Sequence, residues 1–183
     1  MTKAMKLGLV AALALVLAAA TIAVASSSRF TMKAKLSGYE EVPALSSPAR
    51  GTFAASADSD SITYTLTYTD FPTPVLQSHI HFGQSGVAGG VSIFLCTNLG
   101  NGPAGTPACP PDGGTVSRTV HASDVVGPAA QGIAPGEWDE IVAAIRAGVA
   151  YANIHTQQYP PGEIRGQIST RPGGGGGHGD DED

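Results

Sequence analysis

Three histidines carry most of the chemistry on offer in this chain. His79 and His81 stand two apart in Ser78-His79-Ile80-His81-Phe82, and His155 ends the segment Tyr151-Ala152-Asn153-Ile154-His155. Side chains at i and i+2 of a strand share one face, roughly 7 Å apart, a separation from which two imidazoles reach one metal ion. Ile80 and Phe82 are the natural core residues of the first segment and Ile154 of the second, so His79, His81, Asn153 and His155 are expected on the outer face. In Glu163-Ile164-Arg165-Gly166-Gln167-Ile168 the same phase turns Ile164 and Ile168 inward and Glu163, Arg165 and Gln167 outward.

If these three strands are neighbours, their exposed face joins three imidazoles to an amide, a carboxylate and a guanidinium. Three imidazole nitrogens suit copper or zinc rather than magnesium. Glu163 is then placed to orient one imidazole, and Arg165 to draw an anion to an open coordination position, with Asn153 beside them. The competing reading has the histidines hydrogen-bonded to loop backbone or to Glu163, holding a covering loop onto the sheet. His121 is a candidate fourth ligand whose direction nothing in the pattern fixes, and His178 reads as a solvated tail residue.

No catalytic machinery is evident. The chain has no G-x-S-x-G nucleophile elbow, and no serine, histidine and acid are spaced to suggest a triad. The glycine-rich run Gly83–Gly90 joins two strands and opens no helix, so it reads as a loop and not as a phosphate cradle. The two cysteines, Cys96 and Cys109, are expected to form a disulfide closing a Gly/Pro/Asn-rich segment, with a cysteine metal site as the rival.

The elements that must position these residues are mostly strands. Ile62, Tyr64, Leu66 and Tyr68 alternate with Thr63, Thr65, Thr67 and Thr69, the cleanest strand pattern in the chain. Further strands are predicted at 30–36, 51–57, 76–82, 90–96, 114–122, 149–156 and 162–170. One helix over 135–147 places Trp138, Ile141, Val142 and Ile145 at i, i+3, i+4 and i+7, with Gly148 just beyond its end. Strands of this length between turn signals imply an all-β antiparallel sandwich with one short helix.

The ends frame one domain. Lys3 and Lys6 precede an apolar run from Leu7 to Ala20, and Ala23 and Ala25 supply small residues for cleavage before Ser26. This is the pattern of a secretory signal over residues 1–25, with an uncleaved anchor as the alternative. No later segment is apolar enough to span a bilayer, so no stable membrane span is expected after cleavage. Losing Lys3 and Lys6 from the ten basic residues leaves eight against fifteen acidic ones, taking the net charge from −5 to −7. Four of the acids, Asp180, Asp181, Glu182 and Asp183, end a glycine-rich tail over 172–183 that is expected to be disordered. An acidic chain without a basic cluster argues against nucleic acid as a partner, and leaves an extracellular protein, a small ligand or a cation.

Four segments together resemble a known family. They are Ala34-Lys35-Leu36-Ser37-Gly38-Tyr39-Glu40-Glu41-Val42-Pro43, Ser78-His79-Ile80-His81-Phe82-Gly83, Gly148-Val149-Ala150-Tyr151-Ala152-Asn153-Ile154-His155-Thr156 and Pro161-Gly162-Glu163-Ile164-Arg165-Gly166-Gln167. Their types and order resemble the CHRD domain, the module first described in chordin and found in secreted bacterial proteins, across residues 26–171. The resemblance implies an extracellular, immunoglobulin-like or related β-sandwich that serves as a binding module, and no general activity. His79-Ile80-His81 also looks like the copper-binding H-x-H of copper/zinc superoxide dismutases, which makes a copper-dependent redox protein the alternative. The departure is that no histidine lies between Phe82 and Val120, where that family places its other ligands.

Overall fold

The computed structural model describes residues 29–173; the leader at 1–25 and the tail residues 174–183 with His178 lie outside the described residues. Nine strands run in the order β1 Phe30–Ser37, β2 Arg50–Ala57, β3 Ile62–Thr69, β4 Val75–Phe82, β5 Gly90–Thr97, β6 Gly114–Val120, β7 Ala150–Thr156, β8 Ile164–Gln167 and β9 Ser169–Pro172. The helix α1, Trp138–Arg146, stands between β6 and β7. Every strand pairing is antiparallel, and the strands follow one path, β5-β4-β7-β8-β1-β2-β3-β6, with β9 beside β1. The architecture is all-β with one short helix, as the alternation predicts.

The sheet folds over on itself so that its two halves share a core. Tyr64 of β3 donates its hydroxyl to the Leu95 carbonyl of β5 across that core. Met32, Phe53, Leu66, Ile80, Leu95 and Ile154 are almost fully buried between the halves. Strand β3 shows strict alternation, its buried residues facing in while Thr63, Thr65 and Thr67 pair their hydroxyls with Thr119, Ser117 and Thr115 of β6 outside. Helix α1 closes one end with Trp138, Ile141 and Ile145 buried, whereas Val142 is only half-buried. Its C-terminus stops at Gly148, whose φ of 72° is left-handed and therefore favours glycine.

The last predicted strand is two. The chain leaves β7 after Ile168, which is buried and still donates its amide to Ala150; β8 already meets β1 at Arg165–Ser37, and β9 continues along β1. Just before this switch Gly166 passes so close to β1 that a Cβ there would lie 2.1 Å from the Lys35 carbonyl oxygen. That close crossing joins the two halves of the sheet. Alternation alone cannot show a change of partner, because the inward phase continues through it.

Cys96 at the end of β5 forms a disulfide with Cys109, and both residues are buried. Asn98 reinforces the closure, donating to the Val75 and Cys109 carbonyls and accepting from the Cys109 amide. No helix among the described residues is long and apolar enough to cross a membrane. Replacing both cysteines by alanine should lower the unfolding free energy by about 2–4 kcal/mol. Urea denaturation checks this; an unchanged midpoint would mean that Asn98 alone holds the loop.

Candidate metal centre

The pairing of β4 with β7 creates the site. In this antiparallel ladder His79 faces Asn153, His81 faces Tyr151, and Gln77 faces His155. On its other edge β4 pairs with β5 through register shifts at Ser78/His79 and Ile80/His81. Such bulges re-aim side chains, here in the two histidines' own segment. The three rings converge, with centroids 5.4 Å apart for His79 and His81, 4.9 Å for His79 and His155, and 5.7 Å for His81 and His155. One ligand nitrogen from each lies within 4.8 Å of the others.

This face is not exposed as the phase argument expects. His79, His81 and His155 retain only 2%, 7% and 6% of their surface. The reason is a second layer outside the sheet, built from two loops. Residues 83–89 cover one side, and the turn 157–163 covers the other. Phase distinguishes the two faces of a strand, but it cannot tell whether a loop returns over one of them.

Arg165 and Gln167 rivet the first cover in place. Arg165 donates to the Val87 and Gln84 carbonyls, and Gln167 to Gly83. The Gly89 amide donates to the Tyr151 hydroxyl. Arg165 serves the covering loop and the Tyr151 ring. Its guanidinium lies 3.6 Å from the Tyr151 ring centre and its hydrogen bonds go to the loop. Tyr151 in turn stacks on His81 at 4.8 Å and an interplanar angle of 4°.

Glu163 is fully buried, but it accepts from Ser47 and Thr156 at 2.7 and 2.6 Å and touches no imidazole. Asn153 does belong to the layer, buried opposite His79. His121 does not, because it opens a short 3-10 turn and bonds to the Asp60 carbonyl.

The tautomers follow from the partners. His81 Nδ1 lies 2.9 Å from the Gly89 oxygen and His155 Nδ1 2.8 Å from the Pro160 oxygen. A carbonyl only accepts, so both Nδ1 atoms carry protons and both Nε2 atoms carry lone pairs. His79 Nδ1 lies 3.0 Å from His155 Nε2 and donates to it, which leaves its own Nε2 bare. Three buried acceptors in this layer then have no partner: His79 Nε2, His81 Nε2 and Asn153 Oδ1. Each such orphan costs about 1–3 kcal/mol. Nδ1 of His81 and of His155 thus holds a covering loop, while His79 Nε2 and His81 Nε2 carry lone pairs without a partner.

Burial, reinforced by the neighbouring His155 and His81 rings, pushes His79 down to about 2. Burial likewise lowers His81 to about 4 and depresses His155. The cluster is therefore neutral, the form that binds metal. Glu41, absent from the expected site, joins it by accepting a 2.6 Å bond from Asn153 Nδ2, and burial raises it to about 7 against the pull of Arg165. Its position within the first of the four family-like segments was the only sequence signal that pointed to it.

The family model for the CHRD domain matches residues 32–168. No curated protein and no solved structure matches the chain.

The depressed histidines couple stability to pH. Unfolded imidazoles titrate near 6.5, so below that value the unfolded chain takes up protons that the folded cluster refuses. Metal-free protein should lose stability from this source as pH falls from about 6.5 toward 4. Glu41 has the opposite sign, binding a proton more tightly when folded, so its term weakens stability as pH rises from about 4.5 to 7. Urea unfolding at pH 5 and 7 should show a smaller acid loss in His79→Gln than in the parent chain. Equal losses would contradict a buried, neutral His79.

Proposed function

The chain belongs to the CHRD domain family, and we propose that it is an exported binding module whose three buried histidines hold one late transition-metal ion, copper or zinc. The observation that carries this reading is the cluster of three buried histidines, one ligand nitrogen of each lying within 4.8 Å of the others. His79 Nε2, His81 Nε2 and Asn153 Oδ1 are buried lone pairs in one layer, and a cation is the species that satisfies several lone pairs at once. The spacing supports it. Two nitrogens about 2.1 Å from a tetrahedral ion stand about 3.4 Å apart, close to the 3.0 Å between His79 Nδ1 and His155 Nε2. Coordination through His79 Nδ1 moves its proton to Nε2, the other neutral tautomer, and exchanges that hydrogen bond for a shared metal. Imidazole donors favour copper and zinc over magnesium, and the carbonyls of Gly89 and Pro160 hold two of the ligands in the correct tautomer.

Export rests on separate observations. The leader pattern of residues 1–25 ends at Ala25, and a buried disulfide suits an oxidising compartment, outside the cell or in a periplasm. Partners of such a module would be extracellular proteins or small ligands. The mass of the secreted chain should begin at Ser26; retention of Lys3 and Lys6 would mark the leader as an anchor.

Titrating metal-free protein with copper(II) and zinc in a calorimeter tests the site. One equivalent should bind, and a hundredfold excess of ion over Kd should raise stability by about 2.7 kcal/mol, while magnesium does nothing. The His79→Ala/His81→Ala double variant should lose this binding. Equal affinity in parent and variant would defeat the metal reading.

A further inference from the structure

The two covers over the histidines differ in how they are closed. Loop 83–89 is fastened to the sheet at Gly83, Gln84, Val87 and Gly89 by Gln167, Arg165, Tyr151 and His81. The opposite cover is fastened at Pro160 and Tyr159 by His155 and Thr156, and it leaves an opening. There a cleft of about 130 Å³ opens between the link after β1 and the turn before β8, lined by Glu41, Val42, Leu45, Tyr159 and Gly162 among others.

We propose that metal enters and leaves through this cleft, with Glu41 as the carboxylate that captures the ion and Asn153 Oδ1 as the oxygen that passes it to the histidines. The proposal rests on the metal reading above and adds a route to it. Glu41 lines the cleft and accepts from Asn153 Nδ2 at 2.6 Å. Asn153 stands opposite His79 in the β4–β7 ladder, with His155 two residues along the same face. Its amide nitrogen is turned toward Glu41 and toward Ile164 on the β8 side. The amide oxygen is buried and unpartnered, and it lies within 3.1 Å of where a Cβ on Gly162 would stand. Two oxygen donors, Glu41 and Asn153 Oδ1, therefore stand between the cleft and the strand face that carries His79 and His155.

Two further features fit a port. Gly162 lies directly over the Glu41–Asn153 bond, where a Cβ would come within 2.7 Å of Asn153 Nδ2 and 2.9 Å of Glu41 Oε1. Its missing side chain keeps the approach clear. The other buried carboxylate nearby, Glu163, is occupied by Ser47 and Thr156. Among the described residues Glu41 is thus the carboxylate hydrogen-bonded to the layer from the solvent side. A dication that sheds water gradually is best met first by a negative oxygen at the mouth, because charge at a rim acts mainly on association rate.

Stopped-flow transfer of zinc between a chromophoric chelator and the mature protein at pH 8, where Glu41 carries its charge, tests the route. Glu41→Gln keeps the acceptor for Asn153 and removes only the charge. It should slow zinc uptake and release by at least about tenfold, the lower end of what electrostatic guidance supplies. The equilibrium affinity should stay within about threefold of the parent. Gln167→Ala, which loosens the other cover, should leave both rates unchanged. Unaltered rates in Glu41→Gln, or affinity lost with uptake unchanged, would overturn the port, as would faster exchange in Gln167→Ala. Absence of zinc binding by the parent chain at equilibrium would instead remove the metal reading, and the port with it.

Discussion

His81 and His155 are tied through their Nδ1–H groups to the carbonyls of Gly89 and Pro160, and the character of the site depends on these two bonds. They do three things together. They anchor a covering loop on each side of the histidine layer, they select the tautomer of each ring, and they leave each Nε2 with its lone pair. If either carbonyl were displaced, the ring would be free to rotate or take the other tautomer, and the convergence on one point would be lost. The covers also exclude water, and this exclusion keeps the imidazoles neutral.

The sheet makes these bonds possible. Pairing β4 with β7 brings an H-x-H segment beside a strand that carries Tyr151, Asn153 and His155 on the same face. β8 then supplies Arg165, whose guanidinium covers Tyr151 and fastens loop 83–89, and Tyr151 stacks on His81. The ring that stacks on His81 is thus held by an arginine whose own hydrogen bonds go to the covering loop. In the metal-free protein the arrangement retains unpartnered acceptors, which lowers stability. Such a deficit is expected where a site is shaped for something that binds it, and it falls on residues that the core does not need.

Much of this was legible in the sequence. The alternation around Ile62–Thr69, the isoleucines at 80, 154 and 164, and the helical spacing from Trp138 to Ile145 give strands, face and helix, because burial imposes period 2 or 3.6 on a chain. The grouping of His79, His81 and His155 follows from the same phase. What phase does not contain is the third dimension of the covers. Both faces of β7 are buried, so its polar face lies inside the protein, and Arg165 and Glu163 take partners from loops distant in sequence. The register shifts in β4 and the change of partner at Ile168 were invisible for a related reason, since each leaves the inward pattern intact. Glu41 comes from an irregular link in which no periodicity operates.

The central claim is that three imidazoles share one ion, and the coordination shell of that ion tests it most directly. X-ray absorption at the zinc edge of mature protein loaded with one equivalent should give three nitrogen scatterers about 2.0–2.1 Å from the metal. The outer-shell scattering of three imidazole rings should accompany them, with a fourth position filled by oxygen. A shell made wholly of oxygen, or one with fewer than two imidazoles, would contradict the account and return the histidines to the single role of holding loops against the sheet.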